Sequence, residues 1–403
     1  MEQEKSIGNI NILDLRNATE DSVAGIKRIG NANLVIYTRK TAHLLTHLSI
    51  GNVNATVELP LDVDVRILMG STVINREYFR NQNDPAYLLV MGKIVFEPDI
   101  PIKEIATGLA GFVMMGELVC PENLIGAVQS KAKQVMGRTV VYPAFTRVKI
   151  GSLVLEKHYL DALEDGSELA VIGALRAPHD ISSELLERKV AKLFVSGTIL
   201  CHAENAQAIQ TRLVDGSGKV AVVPAGFRLV PEPLVLDNTL LESLPATRLY
   251  CTAPVLVETS VASALLDERL EKIISRDLLI CPAPLRSVLT QKCDLLETQV
   301  VFYEGDLWLM DGEHHLWASR FDHLTGKATV LVTGELTIDS KISPAVLTAR
   351  LAKVHNRGVI SCTPDQMGAI ESLLGLRDGE LVDSTRVDEE SKDWIGNVNC
   401  LTL

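Results

Sequence analysis

The stretch LLVMGKI at residues 88–94 returns as LAVIGAL at 169–175 and VLVTGEL at 330–336, with a weaker copy, LYCTAPV, at 249–255. The marker positions in these strings, 92, 173, 253 and 334, are separated by 81, 80 and 81 residues. Markers at 70, 151, 231 and 312, and at 116, 197, 277 and 358, keep this spacing. Self-similarity at a fixed period is typical of repeat architectures, so the sequence predicts a tandem array of four degenerate repeats of about 81 residues.

Within one repeat, short strands and short helices alternate. Ser343 and Pro344 fit the N-cap and first position of a helix that we expect to continue to about Lys353. A strand is predicted at 358–362, and Thr363 opens a second helix. One unit therefore follows roughly the order β-α-β-α-β-β-α. An alternation of 21 to 24 residues predicts parallel neighbouring strands with right-handed crossovers.

Because neither the strands nor the helices of one unit could bury an apolar face alone, we expect the units to stack. The predicted fold is an α/β, elongated right-handed repeat solenoid with largely parallel strands. The alternative is four small α/β domains joined like beads, but no Gly/Ser/Pro-rich linker separates the units.

In one part of the repeat, four apolar residues have a spacing that resembles that of positions one, four, six and eleven of a leucine-rich repeat. These residues are Val190, Leu193, Val195 and Leu200. Thr198 stands where that motif carries asparagine, and the 14-residue gap from Gly137 to Gly151 has no counterpart in that family. The fold is therefore loosely leucine-rich-repeat-like, a similarity of stacking principle and not family membership.

The two ends of the chain share a string that the middle lacks. The string is IGNIN at 7–11, IGNAN at 29–33, IGNVN at 50–54 and again IGNVN at 395–399. Asparagine side chains on stacked coils can bond to one another and to neighbouring backbone amides, so these strings predict an asparagine ladder. One hypothesis is that residues 394–403 add a strand to a coil with this string, most plausibly on the N-terminal edge of another subunit. The alternative is that they cap the last coil of their own chain.

These patterns divide the chain into six parts. They are N-terminal short coils with IGNxN strings at 1–61, repeats at 62–142, 143–223, 224–303 and 304–384, and an acidic segment with the C-terminal IGNVN strand at 385–403.

Composition excludes several classes of function. A formal charge of −12 and a pI of about 5.3 disfavour binding to phosphate backbones or anionic lipid, so no nucleic-acid or membrane partner is expected. The most apolar stretch, Gly108 to Cys120, is too short to span a bilayer, and the first residues do not have the pattern of a secretory signal. Seven cysteines without any CxxC spacing predict neither a disulfide framework nor a zinc site, so we expect a cytoplasmic protein.

Three motifs suggest chemistry, and each has a simpler structural interpretation. His202 and Glu204 match half of the zinc deaminase signature, whose cysteine half is absent. Residues 215–219, DGSGK, lack the first glycine of a phosphate loop and predict a turn. Asp311, Glu313, His314 and His315 form the densest set of potential ligands, but adjacent histidines on a strand point to opposite faces.

We therefore assign no catalytic, cofactor-binding or metal-binding residue. The sequence favours a non-enzymatic repeat protein that acts as a protein-binding or scaffolding surface for a partner that the sequence does not identify. One alternative is a self-assembling structural solenoid that forms head-to-tail polymers or rings. Another is an enzyme or metal site near Asp311–His315.

Overall fold

The computed structural model describes residues 5–80, 82, 84–145, 147–385 and 394–403. The chain is an α/β protein with many short parallel strands in several small sheets. It divides into two compact units, one of residues 1–225 with 393–403 and one of residues 226–392. Every strand pairing within the described residues is parallel, as the alternation of strand and helix predicts.

The first unit begins with three strands that form one sheet with the C-terminal segment. Its elements are β1 (Lys5–Asp14), α1 (Glu20–Ala24), β2 (Ile26–Tyr37), a 3₁₀ helix (Ala42–His47) and β3 (Ile50–Glu58). The sheet has the order β3-β2-β1, and the edge of β1 is completed by two short strands from the other end of the chain. These are the last strands of the chain, β30 (Trp394–Ile395) and β31 (Val398–Thr402).

A second group forms a four-stranded sheet. Its elements are β4 (Asp64–Ile74), α2 (Arg76–Arg80), β5 (Ala86–Phe96), α3 (Ile102–Gly108), β6 (Leu109–Pro121), α4 (Ile125–Lys131) and β7 (Ala132–Tyr142). One face of this sheet packs against its helices through residues such as Leu88 and Phe112. The other face packs against the first sheet, where Tyr87 and Leu89 lie in one buried cluster with Ile12. Two sheets thus share a core face to face.

The rest of the first unit has two short strands between successive helices. Its elements are β8 (Arg147–Ile150), β9 (Leu153–Val154), α5 (Lys157–Ala162), β10 (Ser167–Ile172), β11 (Leu175–Ala177), α6 (Ser183–Lys189), β12 (Val190–Val195), β13 (Ile199–His202), α7 (Ala203–Gln210) and β14 (Val220–Val223). The strands form two parallel sheets, β12-β10-β8 and β14-β13-β11-β9.

The second unit repeats this arrangement in two groups. The first group contains β15 (Arg228–Val230), β16 (Leu234–Leu236), α8 (Asn238–Ser243), β17 (Thr247–Cys251), β18 (Val255–Val257), α9 (Ser263–Arg269), β19 (Leu270–Ser275), β20 (Leu278–Pro282), a 3₁₀ turn (Ala283–Leu285), α10 (Arg286–Lys292) and β21 (Gln299–Tyr303). The second contains β22 (Asp306–Met310), β23 (Glu313–Leu316), a 3₁₀ turn (Ala318–Phe321), β24 (Ala328–Val332), β25 (Glu335–Ile338), α11 (Pro344–Arg350), β26 (Leu351–Asn356), β27 (Val359–Cys362), α12 (Pro364–Leu373), β28 (Leu374–Arg377) and β29 (Glu380–Asp383).

Glycines stack directly on one another between neighbouring strands. Gly70, Gly92, Gly116 and Gly137 are register partners across β4 to β7. Gly116 has φ of 134°, and a Cβ atom there would lie against the carbonyl oxygen of Gly92. Only glycine meets both conditions, because other residues rarely adopt this φ and carry a Cβ. The sequence markers Gly92 and Gly116 therefore lie at positions of close backbone approach.

The helix boundaries differ from the sequence expectation. Ser343 caps α11 through its side chain, as predicted, but the helix ends at Arg350 instead of near Lys353. Leu351 begins β26 and pairs with Ala328 of β24. A short helix makes few internal hydrogen bonds, so pairing with a neighbouring strand determines where it ends. For α12, Thr363 and Gln366 form the predicted start of the helix as a capping box.

Candidate functional site

An open groove lies along the asparagine residues of the first sheet. Its volume is about 670 Å³. Apart from Val398, every lining residue is an asparagine, and the full set is Asn9, Asn11, Asn31, Asn33, Asn52, Asn54, Asn397 and Asn399. We call this feature the asparagine groove. It is built from both ends of the sequence, since β1 to β3 supply six of the asparagines and residues 394–403 supply two.

The IGNxN pattern explains how each strand presents two amides. The isoleucine or alanine between the asparagines points into the core, so Ile10 and Ala32 are fully buried. The glycine before them allows neighbouring strands to approach closely, because a Cβ atom on Gly30 would lie 2.7 Å from the carbonyl oxygen of Gly8. The two asparagines of one strand are about 6.6 Å apart along it, given a rise of about 3.3 Å per residue.

One column of asparagines forms a continuous hydrogen-bonded ladder. The side-chain amide of Asn54 donates to Oδ1 of Asn33 at 2.8 Å, and that of Asn33 donates to Oδ1 of Asn11 at 2.8 Å. The amide of Asn11 then donates to Oδ1 of Asn399 at 3.0 Å. The predicted asparagine ladder is confirmed, and it extends onto the C-terminal segment.

The second column has one break. Asn31 donates to Oδ1 of Asn9 at 2.6 Å, and the side chain of Asn9 donates to Oδ1 of Asn397 at 2.9 Å. The backbone N–H of Asn9 also donates to that oxygen, at 3.3 Å. Asn52 instead turns sideways and donates to Oδ1 of Asn54 at 2.9 Å. In both columns the donors point toward the C-terminal segment.

Residues 394–403 are held by main-chain pairing and by apolar packing. In β31, Val398 is the register partner of Ile10 and Cys400 that of Ile12. The backbone N–H of Leu403 donates to the carbonyl oxygen of Asp14 at 3.0 Å. The side chains of Val398, Leu401 and Leu403 pack against the buried cluster of the first sheet.

This placement corrects the expected position of the segment. Residues 394–403 pair with a strand that carries IGNxN, as expected, but that strand is β1 of the same chain. The alternative, a cap on the chain's own last coil, is wrong, because Val398 and Cys400 pair with the first coil. Asn397 and Asn399 continue both columns, which explains why the string returns so far along the sequence. The recurrence of the string at 395–399 was the sequence signal for a site built from both ends of the chain. From the sequence, however, the string was assigned a structural role only.

The potential ligands at Asp311–His315 are not brought together. His314 lies 3.4 Å from Oδ1 of Asp311, whereas the ring of His315 stacks on Trp317 with 3.7 Å between ring centroids. The two histidines thus have different partners, in line with their alternation along β23. Within the described residues, no three histidine, cysteine, aspartate or glutamate side chains form a group able to hold a metal ion.

The two other motifs have structural roles. His202 is buried beside His179, and burial lowers the pKa of its imidazole. It lies at the end of β13, at the N-cap position of α7. In the DGSGK string, Gly218 approaches the carbonyl of Gly197 on the neighbouring strand. The predicted turn is confirmed, and it forms part of a glycine stack.

We expect only one of the seven cysteines to react rapidly in the native protein. Cys400 is exposed, whereas the six others are buried. Burial raises the pKa of the Cys201 thiol to about 11, and partial burial also raises the pKa of the Cys400 thiol, so access to the reagent is what distinguishes Cys400. Because the thiolate is the reactive form, buried thiols should be inert. Brief maleimide labelling followed by peptide mass spectrometry measures this. Rapid labelling of Cys120, Cys281 or Cys362 would contradict the structure.

Comparison of the chain with protein-family models, with curated proteins and with solved structures found no match. In the described part of the chain, no helix has the length and apolar character needed to cross a membrane.

Proposed function

We propose that this protein is a non-enzymatic binding protein and that the asparagine groove is the surface on which a protein partner binds. The observation that carries the proposal is the set of eight asparagines arranged in two columns along one open groove. Asparagine side chains that only hold neighbouring strands together do not need to be exposed to solvent. Here Asn9, Asn31, Asn52 and Asn54 are exposed.

The groove offers hydrogen-bonding groups beyond those that the ladder uses. A carboxamide has two N–H donors and an oxygen with two lone pairs. Asn33 uses one N–H toward Asn11 and accepts one bond from Asn54, so a donor and a lone pair remain. A carboxamide also presents the same donor and acceptor as a peptide group. The backbone of an extended protein segment can therefore pair with it.

The spacing of the amides suits such a segment. Two asparagines on one strand are about 6.6 Å apart, which is the repeat of two residues in an extended chain. Since no lining residue is charged, we expect binding to depend on main-chain hydrogen bonds and to change little with salt. The partner class is thus an extended, neutral protein segment.

We also infer the finer architecture that the sequence favours, a stack of four related units of about 81 residues in an elongated solenoid. The stacked glycines support it, since Gly151, Gly173 and Gly197 approach one another as Gly70, Gly92 and Gly116 do. We further place the protein in a reducing cytoplasm. All seven cysteines are unpaired, which supports this location.

The test uses a display library of random 12-residue peptides selected on the full-length protein. Binding of enriched peptides is then measured for the wild type and for the double variant Asn31→Ala/Asn33→Ala. Both residues lie on β2, an interior strand, so the two edges of the sheet stay intact. We expect at least tenfold weaker binding by the double variant, equal to about 1.4 kcal/mol.

The matched control is Arg28→Ala, an exposed residue of the same strand that does not line the groove. It should bind the peptides as the wild type does. Each ladder hydrogen bond that a variant loses is expected to cost about 1 kcal/mol of stability. Thermal unfolding is therefore used to verify that each variant is still folded. Equal binding by the double variant and the wild type, or no enrichment of peptides, refutes the proposal.

A further inference from the structure

The two edges of the asparagine sheet carry the same five-residue string. IGNVN lies on β3 at 50–54 and again in the C-terminal segment at 395–399. Within the described residues, β3 pairs only with β2, and the C-terminal strands pair only with β1. Asn52, Val53 and Asn54 are exposed at one edge, and Asn397 and Asn399 at the other. No described residue covers either edge with a further strand.

The ladder gives these edges opposite hydrogen-bonding character. Every ladder amide that bonds across strands donates toward the C-terminal segment. In the described part of the chain, the side-chain N–H groups of Asn397 and Asn399 donate to no partner. At the opposite edge Oδ1 of Asn52 accepts no hydrogen bond from a described residue, and Oδ1 of Asn54 accepts one, from Asn52. One edge thus offers the side-chain N–H groups of Asn397 and Asn399, and the other offers free lone pairs on Oδ1 of Asn52 and Asn54.

We propose that these edges pair between copies of this chain, so that β3 of one copy continues the sheet beside the C-terminal segment of the next. Asn397 then donates to Asn52 of the second copy, and Asn399 donates to Asn54. The unpaired backbone groups of both edge strands are paired by the same contact. Because two different surfaces meet, each copy keeps a free edge, and association continues head to tail. This contact uses the edges of the sheet and does not depend on ligand binding in the groove.

The register defines which residues meet. Cys400 is the partner of Ile12, Ile12 that of Leu34, and Leu34 that of Ala55. A sheet that continues in this register places Cys400 opposite Ala55 of the second copy. Within one chain these residues are separated by three strand spacings of about 4.8 Å, about 14 Å in total. A disulfide requires Cα atoms no more than about 7 Å apart, so it can join them only between copies.

The experiment therefore introduces Ala55→Cys into the full chain, with native Cys400 as its partner. Mild oxidation should give covalent dimers and higher multimers on a denaturing gel. The matched variant Ile12→Cys places a thiol beside Cys400 within the same chain, and it should give a cross-linked monomer. The proposal is overturned if the Ala55→Cys variant remains entirely monomeric under conditions that cross-link the Ile12→Cys variant. Multimers from Ile12→Cys also overturn it, because the C-terminal segment would then lie on β1 of another copy.

A second test needs no cross-link. Val53→Lys puts a charge on the exposed edge of β3, and charged edge residues block strand pairing. Val346→Lys is the control, since Val346 and Val53 are both 37% exposed but Val346 lies on α11. In sedimentation experiments over a concentration series, the mass of the wild type and of Val346→Lys should rise, and Val53→Lys should associate at least tenfold more weakly. A wild type with the mass of one copy at every concentration overturns the proposal.

Discussion

Replacing Gly116 by alanine should lower the free energy of unfolding by about 3 kcal/mol or more. A φ of 134° is strained for any residue with a Cβ, which by itself costs about 1 to 3 kcal/mol. The new Cβ would also lie against the carbonyl oxygen of Gly92, a residue whose strand is paired on both sides, with β4 and with β6. Relief would require β5 and β6 to separate. Urea unfolding followed by circular dichroism measures the loss.

Gly126→Ala is the matched control. Gly126 lies in α4, and nothing lies within 4 Å of a Cβ placed there. Alanine gives the unfolded chain less conformational entropy than glycine does, and it fits the backbone of a helix. The Gly126→Ala variant should therefore be as stable as the wild type or more stable, by up to about 1 kcal/mol. Equal stability of Gly116→Ala and the wild type would show that the glycines do not stack as described.

The second large effect is expected from Cys201→Asp, which should destabilise the fold by about 4 kcal/mol or more at neutral pH. Cys201 is fully buried among leucine, isoleucine and valine side chains. A carboxylate there has no cation to pair with in that cluster, so burial raises its pKa above the unfolded value of about 3.9. Stability is therefore lost as pH rises. Urea unfolding at pH 5 and pH 8 should show the larger penalty at pH 8.

Cys201→Ala separates the effect of charge from that of lost volume. It leaves only a small cavity, so it should cost about 1 kcal/mol and show no such pH dependence. A Cys201→Asp variant as stable as Cys201→Ala at pH 8 would contradict the burial of this side chain.

The sequence indicated which positions recur between the repeats better than it predicted the ends of the helices. Gly92 and Gly116 were recognised only as repeat markers, and the structure supplies the reason for their recurrence, because close backbone approach selects a single residue type. The end of α11 was missed because Leu347, Leu351 and Val354 have helical spacing. Leu351 and Val354 belong to β26. Apolar periodicity cannot distinguish a helix from a short helix followed by a buried strand.

The candidate site was predicted in part. The ladder follows from the recurrence of IGNxN, because stacked asparagines can bond to each other. Two features were not accessible from the pattern. One is that residues 394–403 lie on β1 of the same chain, which depends on long-range folding. The other is the sideways turn of Asn52 toward Asn54, which breaks one column.

The pairing of Asn9 with Asn397 also has a consequence for biosynthesis. These residues are 388 positions apart. At roughly 5 to 20 residues per second, the ribosome makes Asn397 about 20 to 80 seconds after Asn9. During that interval β1 has emerged, and its edge is available to any other strand that is present, including one on a neighbouring nascent chain. A truncated chain would retain this open edge permanently, so the groove is complete only in molecules whose synthesis has passed residue 399.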